Sequence, residues 1–256
     1  MPDEALTLSV ADRTARITLT RPAKRNSLSE PVLKALLDTL NTVAASPATG
    51  LVLAAEGPVF SAGHDFADVA ARDVVGVLRL LELCTAVMQR MHSMPQVVIA
   101  RVHALATAAG CQLVASADLA VAADTAGFAL PGGAGGWFCH TPAVPVARSI
   151  GRKRLMEMAL TGDIVDAATA LDWGLVNRVV PAAELDSAVD DLLARATRGS
   201  AASKGWGKQV LYSQLDRPEN DAYGIAVQAM AAASQSAGAR EGRSAFLEKR
   251  RPTFTD

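Results

Sequence analysis

The stretch "LATAAGCQLVASADLA", residues 105–120, opens with side chains too small to do chemistry themselves, then presents one amide, Gln112, ahead of an apolar run. Residues this small let backbone approach backbone, or let a ligand approach backbone N–H groups. A tight turn before a buried helix and a ligand-facing loop both fit. A second stretch of this kind, "FSAGHDF" at 60–66, closes another apolar segment. Where a strand gives way to a helix, the first helical N–H groups lack an internal partner and the helix dipole favours negative charge. Two such ends facing each other would offer paired donors to one developing oxyanion.

The flanking sequence reads as alternating strands and helices. "LTLSV" and "ARITLTR" are strands joined by a turn at Ala11, Asp12 and Arg13. After "RPAKRN" a helix begins, with Ser29 as N-cap, Pro31 in its first turn and an apolar stripe of Leu33, Leu36, Leu37, Leu40 and Val43. "GLVLAAE" is a buried strand by its unbroken apolar character. A helix over 76–92 precedes strand "QVVIARV", and helix "CQLVAS" precedes strand "DLAVAA". The Gly-rich connection "LPGGAGGWFCHTP" leads to helices around 142–161 and 166–173, then to strand "LVNRVV". Beyond Pro181, Leu185, Val189, Leu192 and Leu193 fall at helical spacing, and two or three further helices fill 201–249. No sequence repeat of fixed period is present. The pattern is α/β with a helical C-terminal region.

With 256 residues, 50% hydrophobic, and a formal charge of −1, the chain carries no footprint for nucleic acid or a membrane surface. The short basic clusters "KR" at 24–25 and "EKRR" at 248–251 can still meet a phosphate. Cys84, Cys111 and Cys139 are far apart and fit neither a disulfide framework nor a metal-ligand spacing. The acidic start "MPDEALTLSV" lacks a signal-peptide layout, and no uncharged apolar stretch reaches about 18 residues. A cytoplasmic location is expected.

In order along the chain, "LTRPAKRNSLS", "VFSAGHDF", "AAGCQLVASADLAVAAD…FALPG", "LTGDIVDAATALDWGLVNRVVP" and "AFLEKRRPTF" closely resemble the crotonase superfamily, the enoyl-CoA hydratase/isomerase family. The resemblance spans essentially the whole chain. It implies a spiral of β-β-α turns over residues 1–199 and a helical region over 200–256 used for assembly into a trimer or a dimer of trimers. It implies an acyl-coenzyme A thioester as ligand, with no other cofactor and no metal. By the same resemblance, the oxyanion N–H donors belong to His64 and Ala109. Ala23, Lys24, Arg25, Ala62, Asp65, Phe66 and Gly110 fall along the coenzyme A path, and Phe246 and Lys249 are similar to residues that reach a neighbouring subunit's coenzyme A.

Two positions depart from the family's hydratases, which carry glutamates where this chain has Gln112 and Gly132. Hydration needs a carboxylate to activate water and a proton for carbon. An amide can position a water but cannot take its proton. Weak or absent hydratase activity follows, and glutamates at 112 and 132 are expected to raise it. His140 falls where related dehalogenases place an aspartate, and its imidazole could serve as acid or base. Cys139 reads as a packed thiol, His92 and His103 as structural, and Glu82 and Asp68 as solvated. Decarboxylation of a malonyl-type thioester, and acyl-coenzyme A binding without catalysis, are the alternatives.

Overall fold

The computed structural model describes residues 5–255; residues 1–4, the acidic start that bears on the signal-peptide reading, lie outside them. Strands β1 (Leu6–Ala11) and β2 (Thr14–Leu19) form an antiparallel hairpin. The chain then runs through a 3-10 turn (Pro22–Lys24) into α1 (Glu30–Ala44). From there it winds in repeated turns. The first comprises β3 (Gly50–Ala55), β4 (Val59–Ser61), α2 (Phe66–Ala70) and α3 (Val74–Ser93). The second is β5 (Val97–Val102), β6 (Leu105–Thr107) and α4 (Ala109–Ser116). The third is β7 (Leu119–Ala123), β8 (Gly127–Ala129), α5 (His140–Ile150) and α6 (Arg152–Thr161). Then follow β9 (Val165–Asp166), α7 (Ala167–Trp173), β10 (Arg178–Val180) and the helices α8 (Leu185–Thr197), α9 (Ala201–Gln214), α10 (Glu219–Ala233) and α11 (Ala237–Leu247).

Each turn places one strand in a large sheet, ordered β1-β2-β3-β5-β7-β10, and one in a small sheet, ordered β4-β6-β8-β9. This is the α/β spiral of β-β-α turns that the resemblance implies. From β2 to β10 the large sheet is parallel, which is why β3 is apolar throughout and wholly buried. Helix α1 buries Val32, Leu33, Leu36, Leu40 and Val43 against the core, with Leu37 only half-buried.

Several local readings are corrected. No strand was expected at β4, β6, β8 or β9, and Asp166, read as the start of a helix, is instead the last residue of β9. Residues 142–161 are two helices, broken at Gly151 with φ +78°. The strand read in "LVNRVV" begins only at Arg178, because Asn177 exchanges two hydrogen bonds with Ala120 instead. Ser29 occupies the N-cap of α1, but its hydroxyl makes no capping bond. The Glu30 N–H instead donates to Asp68 Oδ2 at 2.8 Å.

Candidate functional site

The small sheet sets the geometry of the site. In parallel register, Val59 pairs with Leu105 and Ser61 with Ala106, while Ala106 pairs with Phe128 and Thr107 with Ala129. The loops leaving β4, β6 and β8 therefore emerge side by side at one edge. His64, Ala109 and Gly132, scattered through the sequence, all line one cavity of about 260 Å³ there.

Backbone contacts make this approach possible. Gly110 lies so close to β4 that a Cβ on it would fall 2.3 Å from the Ser61 carbonyl oxygen. Ala108 adopts φ 49°, ψ −119°, donates its N–H to the Ala129 carbonyl at 2.9 Å, and accepts from the Gln112 N–H at 3.0 Å. An alanine at positive φ stores roughly 1–3 kcal/mol of strain. The bend starts α4 at Ala109, whose N–H no carbonyl within the helix can reach. On the facing loop, Leu28 forms a parallel bridge with His64 through the Gly63 carbonyl, which accepts from the Leu28 N–H at 2.8 Å. In such a bridge the N–H of His64 itself points away from Leu28. The small residues of 105–111 thus serve close backbone packing, and that packing juxtaposes the two loops.

Among the described residues, no Asp, Glu, Lys or Arg side chain lines the cavity; its titratable groups are His64, Cys139 and His140. Burial pushes the His64 imidazole below its usual range, opposed by the Leu28 backbone and the Asp68 charge. Both ring nitrogens are buried without a hydrogen-bond partner. Burial raises the Cys139 thiol, opposed by the Gly132 backbone, and pushes Cys111 and Cys84 up to about 12. His140 opens α5 with its ring at the exposed rim.

Gly132 is closely surrounded. A Cβ at this position would lie 2.2 Å from the Trp137 carbonyl oxygen and 2.8 Å from Cys139 Sγ. The segment 133–139 folds back so that Gly135 and Trp137 N–H groups donate to the Gly132 carbonyl at 3.1 and 2.9 Å. The space a side chain would fill is already occupied. Glutamates at 112 and 132 were expected to raise hydration in a backbone otherwise competent for it, and a side chain at 132 requires the 133–139 segment to move.

Gln112 does not line this cavity. It is buried in a neighbouring groove of about 1010 Å³ between α3, α4, α5 and α9, with Thr141 forming part of both walls. Its Oε1 has no hydrogen-bond partner.

Of the residues proposed for coenzyme A, only some lie at or beside the cavity. Ala23, Lys24 and Arg25 are exposed at the 3-10 turn, and the Arg25 carbonyl accepts from Ala62 N–H at 3.0 Å, joining that turn to the His64 loop. Asp65 caps α2 through Ala67 and Asp68 N–H groups and accepts from Ser27 Oγ. Phe66 and Ala62 line the cavity, whereas Gly110 packs on Ser61 instead. Phe246 and Lys249, at the end of α11, are exposed and line none of it.

Three positioning residues were not singled out from the sequence as such. Asn26, at φ 49°, binds the Glu56 and Val59 carbonyls through Nδ2 and the Arg21 N–H through Oδ1. Its tolerance of left-handed backbone was the available signal. Arg72 bridges Asp68 and Glu30 at 2.7 and 2.6 Å, so Asp68 is a partnered anchor rather than a solvated charge. Trp137 packs its ring against His64 and Phe66, and an aromatic set in a glycine-rich segment was its only mark. Glu82 is exposed, as read. His92 stacks on Tyr212, and His103 Nε2 meets the Gly57 carbonyl.

Residues 10–256 match the family model described as enoyl-CoA hydratase/isomerase. The chain belongs to the enoyl-CoA hydratase/isomerase family. It is 38% identical over 248 residues to the rat mitochondrial enoyl-CoA hydratase domain-containing protein 3, covering 95% of this chain and 82% of that one. Among solved structures, an enoyl-CoA hydratase of Mycobacterium smegmatis superposes with a TM-score of 0.94 at 42% identity, covering 97% of this chain and 98% of the other. Human enoyl-CoA hydratase domain-containing protein 3 superposes with a TM-score of 0.94 at 38% identity, covering 98% and 100%. The cytoplasmic expectation is overturned by these family members, since the rat relative is named as mitochondrial.

Proposed function

We propose that this family member binds an acyl-coenzyme A thioester and polarises its carbonyl between the N–H groups of His64 and Ala109, stabilising an enolate. The observation that carries the reading is the β4–β6 register, which sets these two loops side by side over one cavity. Lys24 and Arg25, exposed beside the Ala62 loop, suit the phosphates of coenzyme A. No further cofactor and no metal enters this reading. Residues 200–256, helical from Ala201, form the surface for a homotrimer or a dimer of trimers, with Phe246 and Lys249 facing a neighbouring coenzyme A.

Hydratase activity is weak in this reading because the cavity has no carboxylate, and each missing acid–base group typically costs ~10²–10⁴-fold. A second reading, decarboxylation of a malonyl-type thioester, draws on the same observation. A carboxylate in a cavity without a cation is poorly stabilised, and loss of CO₂ yields the enolate with no base. His140 at the rim would then return the proton. Calorimetry with butyryl-CoA, together with turnover of crotonyl-, malonyl- and methylmalonyl-CoA followed by mass spectrometry, tests these readings. No binding at millimolar thioester sinks the proposal. Hydration at an ordinary hydratase's rate contradicts the role given to the missing acids. Binding without turnover leaves a silent acyl-coenzyme A binder.

A further inference from the structure

Aromatic side chains are scarce in this chain, with six Phe, three Trp and two Tyr, alongside four His, in 256 residues. Yet His64, Phe66, Trp137, Phe138 and His140 all line the single cavity beside Ala109. The Trp137 ring lies 6.0 Å from His64 at 43° and 6.1 Å from Phe66 at 56°, and Phe138 lies 5.1 Å from His140 at 52°. These are tilted pairs at the separations aromatic rings favour. None stacks face to face, and with Phe66 exposed and Trp137 half-buried these two rings are not enclosed by the protein. The cavity's volume of about 260 Å³ falls below the usual span for small-molecule sites, roughly 300–1,000 Å³. At Gly132 the Trp137 carbonyl and Cys139 leave no space for a side chain. A charged acyl terminus finds no Lys or Arg among the lining residues.

Resting on the acyl-thioester reading above, we infer that the cavity selects a short acyl group ending in a planar ring, an arylacetyl or aryl-enoyl thioester. A ring one or two carbons beyond the carbonyl lies among the five aromatic side chains while the thioester oxygen meets the two N–H groups.

The test compares phenylacetyl-CoA with cyclohexylacetyl-CoA by calorimetry, a pair alike in length and apolar content but differing in the π face. Phenylacetyl-CoA is expected to bind about tenfold more tightly, the equivalent of one or two good aromatic pairs. Trp137→Leu is expected to reduce that ratio to about two- or threefold, and Phe66→Leu, at an exposed position, to lower it in part. Equal affinities in the wild type, or an unchanged ratio in a folded Trp137→Leu protein, overturn the inference while leaving the acyl-thioester reading intact. If butyryl-CoA and both ring-bearing thioesters all fail to bind, the underlying reading falls and the inference with it.

Discussion

Ala108 carries the tightest bend at the site, and its positive φ makes it a sensitive probe. Ala108→Gly relieves a conformation that costs an L-residue roughly 1–3 kcal/mol, offset in part by the entropy glycine adds to the unfolded chain. A gain of about 1 kcal/mol in urea-unfolding stability is expected, with the cavity retained. No gain would mean that the surrounding hydrogen bonds, not the torsion, set the loop's energy. Gly110→Ala acts in the opposite sense. Its Cβ meets the Ser61 carbonyl oxygen, which no rotamer change can move aside, so α4 must shift away from β4. A loss of ~1–3 kcal/mol is expected from such overpacking, together with weaker thioester binding.

The loops leaving the three-residue strands β4, β6 and β8 deliver His64, Ala109 and Gly132, and these strands were the part least legible in the sequence. Three residues are too few to show alternation, and "VFS", "LAT" and "GFA" look like the loops around them. The large-sheet strands and α1 were legible because β3 is apolar throughout and α1 carries a helical stripe. At the site, the small-residue loops were legible as places of close approach, but their pairing is a long-range register that no local pattern encodes. The crowding at Gly132 was hidden for the same reason, since it comes from a loop folding back. Helix α9 shows a comparable long-range dependence. Lys208 Nζ reaches Asp118 Oδ2 and the Met91 and Gln96 carbonyls, each at 2.7 Å, and Tyr212 donates to Asp118 Oδ1 at 2.9 Å. Burial lowers the Lys208 pKa while Asp118 opposes the shift. Removing one partner of such a buried pair strands the other charge. Lys208→Met is expected to cost about 3–5 kcal/mol in denaturant unfolding; a loss within about 0.5 kcal/mol would show that α9 docks without it.

For the molecule as a whole, pH and assembly are the informative variables. His64 and His92 both have their pKa lowered from 6.5, chiefly by burial. Between 6.5 and the folded-state values the unfolded chain binds more protons, so stability is full above about pH 6.5 and declines as pH falls through that window. His64→Phe should flatten the decline measured by thermal melting; an unchanged slope would assign it elsewhere. Val227, Met230, Phe246 and Leu247 leave their side chains exposed on α10 and α11 of the isolated chain, a surface expected to be covered by further copies. Light scattering should therefore report three or six times 26.6 kDa; a monomer at micromolar concentration would contradict the assembly. The polarised carbonyl can be observed without turnover, from the infrared stretch of butyryl-CoA labelled with ¹³C at the thioester carbon. On binding, the band should move to lower frequency, as two N–H donors draw charge onto the oxygen. Ala109→Pro removes one donor at the first position of a helix, next to Ala108 at a φ of 49° that a residue before proline disfavours, so a melting curve must first show that the variant folds. The shift should then shrink. A bound thioester whose carbonyl stretches as it does in water, or a shift that survives Ala109→Pro undiminished, would contradict the oxyanion site.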